Sequence, residues 1–212
     1  MDREARASLF NGASPTFCIS QSLRDALNDY PHTGSKGIDL AQAVDEYICS
    51  NNDGTRDWLY SNPYYPTKGG TTVHVFLSPH RVLIQDRPKE LRIGMSVHEG
   101  QLGMEVFTRK GNSSEPHPDL FATKGLRFAL AFLRAHPTTR WQSGVDDWTR
   151  NSDNFLAYES ALKQGKSPLD ACLNTFSGNI FNTWGYKPQS IEPRQGYRGE
   201  YVHVTFAPVT LR

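Results

Sequence analysis

The stretch TTVHVFLSPHRVLIQD, residues 71–86, gives the clearest indication of the fold class of this 212-residue chain. The periodicity of apolar residues changes to two in TTVHVFL (71–77), and a second strand-like run, RVLIQD (81–86), follows after SPH. Alternation with a period of two is typical of β-strands, and a short turn between two such runs predicts a hairpin. The centre of the chain is therefore expected to begin a β-sheet.

The segments around this hairpin extend the sheet and place helices before and after it. Residues 91–97 and 102–108 also alternate, which predicts about four strands in a row, and EYVHVTF (200–206) predicts a closing strand. Helical spacing of apolar residues, caps and stop signals predict helices over about 18–28, 38–50, 123–136, 152–165 and 167–185. This order predicts an α+β fold in which an antiparallel sheet of about five strands packs with about five helices.

Length and composition limit the domain organisation and the classes of function. We expect residues 1–212 to form a single domain, with a subdivision considered only near the polar segment 109–119. The net charge of +1 gives no strongly basic nucleic-acid footprint, and no window approaches the roughly 18 apolar residues of a membrane span. The first ten residues lack an apolar signal core, which predicts synthesis in the cytoplasm and leaves open secretion without a cleavable signal.

The three cysteines carry neither a disulfide framework nor a zinc pattern, and we expect no cofactor. They lie at 18, 49 and 172, an odd number with no CxxC pair. Cys172 falls on an apolar helical stripe, which predicts a core position. Cys18 is predicted to lie in the first turn of the first helix, where free N–H groups would stabilise a thiolate. The alternative for Cys18 is a buried core residue, because free cysteine is often buried.

The hairpin offers partners for such a thiolate. His74 lies in the first strand, opposite Ile84 or Gln85 for a short turn, and Asp86 ends the second strand within expected reach of the imidazole. A cysteine at a helix start followed by a histidine and an acid on neighbouring strands resembles the order of motifs in papain-like cysteine hydrolases. The resemblance implies an amide or thioester hydrolase in which Cys18 is the nucleophile, His74 the base and Asp86 the group that orients the base.

The last predicted strand supports a different chemistry. Alternation places Tyr201, His203 and Thr205 on one face and apolar residues on the other. A histidine flanked by hydroxyls is suited to a metal-independent ribonuclease, in which it moves the proton of a 2′-hydroxyl. His98 is a candidate to complete that site. The bland alternative is the solvated half of an amphipathic strand.

The segment 154–193, followed by the last strand, resembles the C-terminal modules of bacterial polymorphic toxins. The resemblance implies a bacterial effector or toxin, whose partner would be a protein substrate or an inhibitor protein of the immunity type. Nucleic acid is a partner only for the ribonuclease alternative, and no membrane partner is expected. A third alternative is a non-enzymatic binding module that uses the aromatic segment DWLYSNPYY, residues 57–65.

Overall fold

A computed structural model describes residues 17–31, 40–50, 73–86, 90–108, 117, 120–196 and 199–209. Within these residues there are six helices and seven strands, which in chain order are α1 (Gln21–Asp29), α2 (Leu40–Ser50), β1 (Val73–Ser78), β2 (Arg81–Asp86), β3 (Leu91–His98), β4 (Gln101–Phe107), α3 (Ala122–Ala135), β5 (Ser143–Thr149), α4 (Asp153–Lys163), α5 (Pro168–Cys172), α6 (Phe176–Thr183), β6 (Tyr186–Gly196) and β7 (Gly199–Pro208). None of these helices is long and apolar enough to cross a membrane.

The strands form one mixed sheet in the order β1-β2-β3-β4-β5-β7-β6. Every neighbouring pair is antiparallel except β4 and β5, which run parallel over three residues each. The predicted α+β class is therefore confirmed, with more strands than expected. The sheet contains strands from both sides of the polar segment 109–119.

The hydrophobic core lies on one face of the sheet, and all six described helices bury residues in it. On β7, the side chains of Val202, Val204 and Phe206 point into this core, as the alternation predicts. Helix α3 approaches the sheet closely because Gly125 lacks a side chain. A Cβ atom at that position would lie 3.0 Å from Ile93.

Two strands were not expected from the sequence, and both belong to the C-terminal half of the sheet. Strand β5 contains Asp146 and Asp147, and the sequence patterns predict no strand there. Strand β6 contains Pro188 and Pro193, which are tolerated because β6 is the edge strand. The helix expected over 167–185 is in fact two helices, since Thr175 caps a new helix by accepting from the N–H of Gly178.

Candidate functional site

The residues of the predicted cysteine site are placed on different layers of the molecule. Helix α1 begins at Gln21 and is capped by Ser20, so Cys18 lies before the helix and outside its first turn. The prediction that Cys18 lies in the first turn of a helix is therefore wrong. Cys18 is exposed, and its neighbour Phe17 packs against Phe132 of α3, on the helical layer.

The register of β1 and β2 separates the other two predicted residues. His74 lies opposite Gln85, as the hairpin predicts, whereas Asp86 lies opposite Val73. Side chains alternate between the faces of a sheet, so Asp86 points into the core and His74 to the other face. Asp86 is fully buried and pairs with His117, whose Nε2 lies 3.1 Å from Oδ2 of Asp86. The prediction that Asp86 orients His74 is therefore wrong, because this register places the two side chains on opposite faces of the sheet.

The residues of the alternative site are brought together with partners on both neighbouring strands. His203 of β7 lies directly opposite Asp147 of β5, and its Nδ1 is 2.7 Å from Oδ1 of Asp147. On the other side, His203 lies opposite Glu192 of β6. We give the name polar face to seven polar residues of these three strands that point outward around His203. They are Asp147, Ser190, Glu192, Arg194, Tyr201, His203 and Thr205.

The polar face positions the imidazole of His203. Nδ1 of His203 faces Oδ1 of Asp147, and in the tautomer that carries the proton on Nδ1 this N–H donates to the carboxyl oxygen, which leaves Nε2 as the ring nitrogen available for chemistry. The side chain of His203 is only 12% exposed, while that of Asp147 is 60% exposed. A histidine held in this way has one fixed orientation and one nitrogen directed away from its carboxylate partner.

Glu192 and Arg194 form an ion pair next to this histidine. Nη2 of Arg194 lies 2.9 Å from Oε2 of Glu192. The hydrogen bond from Arg194, its positive charge and the nearby His203 hold the pKa of the Glu192 carboxyl below its ordinary value near 4.5. Arg194 also interacts with Tyr201, which faces it across the two strands. Glu192 is therefore an ionised carboxylate beside an imidazole at neutral pH.

Thr205 completes the row of side chains along β7. Its Oγ1 lies 2.8 Å from Oγ of Ser190, so the two hydroxyls hold each other across β6 and β7. A cavity of about 490 Å³ adjoins the other end of the row, where Tyr201, Arg194 and Arg150 line it. Arg150 is paired with Glu200 at this cavity. The polar face thus combines a histidine, two carboxylates, a hydroxyl pair, a phenol and one guanidinium group, and the guanidinium of Arg150 lies at the adjoining cavity.

Asp146, on the core side of β5, fixes the strand that carries Asp147. Its Oδ2 accepts from Nε1 of Trp148 at 2.6 Å and from Nδ2 of Asn154 at 3.2 Å. Burial raises the pKa of the Asp146 carboxyl, and hydrogen bonds, including one from Ser177, oppose this effect. Because Asn154 belongs to α4 and Ser177 to α6, the bonds of Asp146 connect β5 to both helices. The two adjacent aspartates therefore face opposite sides, one inward as an anchor and one outward beside His203.

His98 does not belong to the polar-face site. His98 is the last residue of β3 and pairs with Gln101 of β4. Gln101 in turn pairs with Ser143 of β5, and Asp147 lies four residues further along β5. Three strand spacings and four residue rises give a separation of about 20 Å between His98 and His203. The sequence reasoning missed Asp147, Glu192 and Arg194, because no motif links them and only strand pairing brings them to His203.

Among the described residues, no group of three or more histidine, cysteine, aspartate or glutamate side chains is arranged to hold a metal ion. Compared with protein-family models, with curated proteins and with solved structures, the chain gives no match. The site is therefore interpreted from its own geometry.

Proposed function

We propose that the protein is a metal-independent ribonuclease whose site is the polar face around His203. The observation that carries this proposal is the position of His203, bonded to Asp147 at 2.7 Å and flanked by Glu192 on the opposite strand. Two neighbouring groups that can each move a proton are what a phosphoryl transfer to a 2′-hydroxyl requires. Among the described residues, Asp147, Glu192 and Arg194 on this side of the sheet are exposed, so an extended substrate can reach them.

The roles follow from the charge of each group. Glu192 is ionised at neutral pH, so its carboxylate accepts the proton of the 2′-hydroxyl. The 2′-oxygen then bonds to phosphorus, and the bond from phosphorus to the 5′-oxygen breaks. The imidazolium form of His203, bonded to Asp147 through Nδ1, gives the proton on Nε2 to that leaving oxygen. The products are a 2′,3′-cyclic phosphate and a free 5′-hydroxyl, and this reaction needs no water or metal in its first step.

Arg194 and Tyr201 would stabilise the phosphate during transfer. The guanidinium has five N–H donors, and its bond to Glu192 leaves others for the phosphate oxygens. The hydroxyl of Tyr201 faces the same region, and Thr205 lies on the other side of His203. Donors placed where negative charge develops commonly contribute about 10²–10³-fold to the rate.

The ribonuclease proposal is better supported than the cysteine hydrolase. Cys18 lies on the helical layer, His74 on the opposite face of the sheet, and Asp86 in the core with His117. A nucleophile and its base must come within hydrogen-bond reach of each other. On the polar face, His203 and the carboxyl group of Asp147 lie within that reach, with Nδ1 and Oδ1 2.7 Å apart.

The proposal is tested by incubating the purified protein with total RNA in EDTA. We expect cleavage by the wild type and by Cys18→Ala, and a loss of about 10²–10⁴-fold in rate for His203→Ala and for Glu192→Gln. Glu159→Gln, which makes the same change on α4, is the matched control and should cleave like the wild type. Asp147→Asn should lower the rate less than His203→Ala, because it removes the partner of the imidazole and leaves the imidazole in place.

The outcome against the proposal is equally clear. Undiminished cleavage by His203→Ala, or no cleavage of any RNA by a folded wild-type protein, would rule out the polar face as a ribonuclease site. Loss of cleavage in Cys18→Ala alone would instead favour a reaction that depends on Cys18.

A further inference from the structure

A second concave site lies at the end of the sheet near the tips of two hairpins. Three chain segments meet there: the β1–β2 turn at His80, the β3–β4 turn at Glu99 and Gly100, and the segment after α3 at Thr138–Arg140. They line an open cavity of about 340 Å³. His98, one of its lining residues, lies about 20 Å from His203.

The walls of this cavity are tied to one another by hydrogen bonds. The N–H of Val97 donates to the carbonyl of His80 at 2.8 Å, which joins the two hairpins. The hydroxyl of Thr139 is buried and donates to the carbonyl of Pro79. The N–H of Gln142 donates to the carbonyl of Gly100 at 2.8 Å. Each segment is therefore bonded to another, which makes the cavity a preformed feature of the fold.

The side chains around the cavity are mostly hydrogen-bond donors with positive or ionisable groups. His80, His98 and Arg140 line it together with the hydroxyl of Thr138, and Glu99 is the carboxylate among its described lining residues. Arg140 uses one N–H for the carbonyl of Thr139 at 2.6 Å. The remaining N–H groups of a guanidinium form a planar fork that suits the oxygens of a phosphate.

A buried histidine holds one of the side chains that line the cavity. His136 is 1% exposed, and its Nδ1 lies 3.0 Å from Oγ1 of Thr138. Burial, together with the charge of His80, lowers the pKa of His136 to about 4. His136 is therefore neutral near pH 7 and fixes the hydroxyl that lines the cavity.

We propose that this cavity binds the phosphate group of a small ligand through Arg140, His80, His98 and the hydroxyl of Thr138. The volume exceeds that of a bare phosphate ion and is typical of small-molecule sites, which start at about 300 Å³. The ligand is therefore a phosphate ester, whose organic part fills the space beside Val97. The site is separate from the polar face, so the proposal does not depend on the ribonuclease activity.

The proposal is tested by titrating the isotope-labelled protein with inorganic phosphate and with phenyl phosphate at constant ionic strength. We expect saturable amide shifts in Val97–Gly100 and Thr138–Arg140, with phenyl phosphate binding at least as tightly as inorganic phosphate. Arg140→Ala should weaken binding by about tenfold or more, because it removes a charge-assisted contact. His98→Ala should weaken it less.

The matched control is Arg134→Ala, which removes an exposed arginine from the last turn of α3, outside the cavity. It should bind both probes like the wild type. Shifts that never saturate, or equal dissociation constants for the wild type and Arg140→Ala, would overturn the proposal. Because binding is measured without RNA, this result stands whether or not the polar face cleaves RNA.

Discussion

At the scale of single residues, the same side-chain types take opposite roles according to burial. Cys172 is fully buried, and burial raises the pKa of its thiol to about 12, whereas Cys18 and Cys49 are exposed. Asp146 and Asp147 are neighbours in sequence, yet one anchors the core side of β5 and the other holds His203. Neither difference is visible in the identity of the residues.

The cysteines give a direct test of this assignment. Because the thiolate is the reactive form, we expect iodoacetamide at neutral pH to label Cys18 and Cys49 in the native protein. Cys172 should be labelled only after unfolding in denaturant. Peptide mass spectrometry after short labelling times measures the three rates. Labelling of Cys172 as fast as that of Cys49 in the folded protein would contradict its burial.

His136 should make the protein less stable in acid. Its pKa is lowered to about 4 in the folded state, so between pH 4 and its ordinary value of 6.5 the unfolded chain binds the extra proton. Stability is therefore expected to fall as the pH is lowered through 6.5 towards 4, by about 3 kcal/mol from this residue.

Urea unfolding at several pH values measures this contribution. The slope of unfolding free energy against pH should be flatter in His136→Asn than in the wild type. His98→Asn, which changes an exposed histidine, should keep the wild-type slope. Identical slopes in all three proteins would show that His136 does not carry the effect.

Arg194 should set the acidic limit of the proposed ribonuclease. Activity needs ionised Glu192, so it is lost as the pH falls through the pKa of that carboxyl, which Arg194 holds below about 4.5. In Arg194→Gln, the acidic limb of kcat/KM should move to higher pH, in addition to an overall loss of rate. Arg150→Gln, whose guanidinium pairs with Glu200, should leave the limb where it is. An unmoved limb in Arg194→Gln would exclude Glu192 as the base.

At the scale of elements, the position of β5 depends on a glycine that allows contact with α6. A Cβ atom at Gly144 would lie 2.2 Å from Cε1 of Phe181, and the ring of Phe181 stacks on Phe206 with centroids 4.2 Å apart. The ring is fully buried and has no free space to move into. The strand that carries Asp147 is thus held by a close contact that only glycine permits.

Gly144→Ala should destabilise the protein by about 2–4 kcal/mol, because the added methyl group forces the stacked rings apart. Gly103→Ala is the matched control on the neighbouring strand. Its Cβ would meet nothing closer than 3.8 Å, so its effect should stay within about 1 kcal/mol. Chemical denaturation measures both values, and equal losses for the two variants would argue against the described packing of α6 on β5.

The element scale also shows where sequence patterns are sufficient. The β1–β2 hairpin follows from period-two alternation, as does the division of β7 into apolar and polar faces, whereas the sequence left open whether Ile84 or Gln85 lies opposite His74. Strand β5 escapes this reasoning because SGVDDWT has two adjacent acids and little apolar alternation. Strand β6 escapes because two prolines argue against a central strand, although an edge strand accepts them.

At the scale of the whole molecule, the fold class was predictable and most of the site was not. The order of helices and strands indicates α+β, and the sheet confirms it. The neighbours of His203 are Asp147 of β5 and Glu192 of β6, which lie 56 and 11 positions away from it along the chain. His117 likewise gives no local sign that it pairs with buried Asp86. Contacts of this kind depend on strand order, which no single segment encodes.

The proposed ribonuclease site depends on one property of the whole molecule, which is that the described helices pack on one side of the sheet. All described helices bury their apolar faces on one side of the sheet, so the polar face of β5, β7 and β6 is left on the other side. The same arrangement separates Cys18 from His74. It therefore favours chemistry on the strands over chemistry at the start of α1.

The most direct measurement compares an RNA oligonucleotide with the same sequence carrying 2′-O-methyl groups, both in EDTA, with products identified by mass spectrometry. We expect the wild type to cut only the unmodified RNA and to leave a 2′,3′-cyclic phosphate. We expect His203→Ala to leave both oligonucleotides intact. Cleavage of the 2′-O-methyl strand, or cleavage of RNA that persists in His203→Ala, would contradict the ribonuclease proposal.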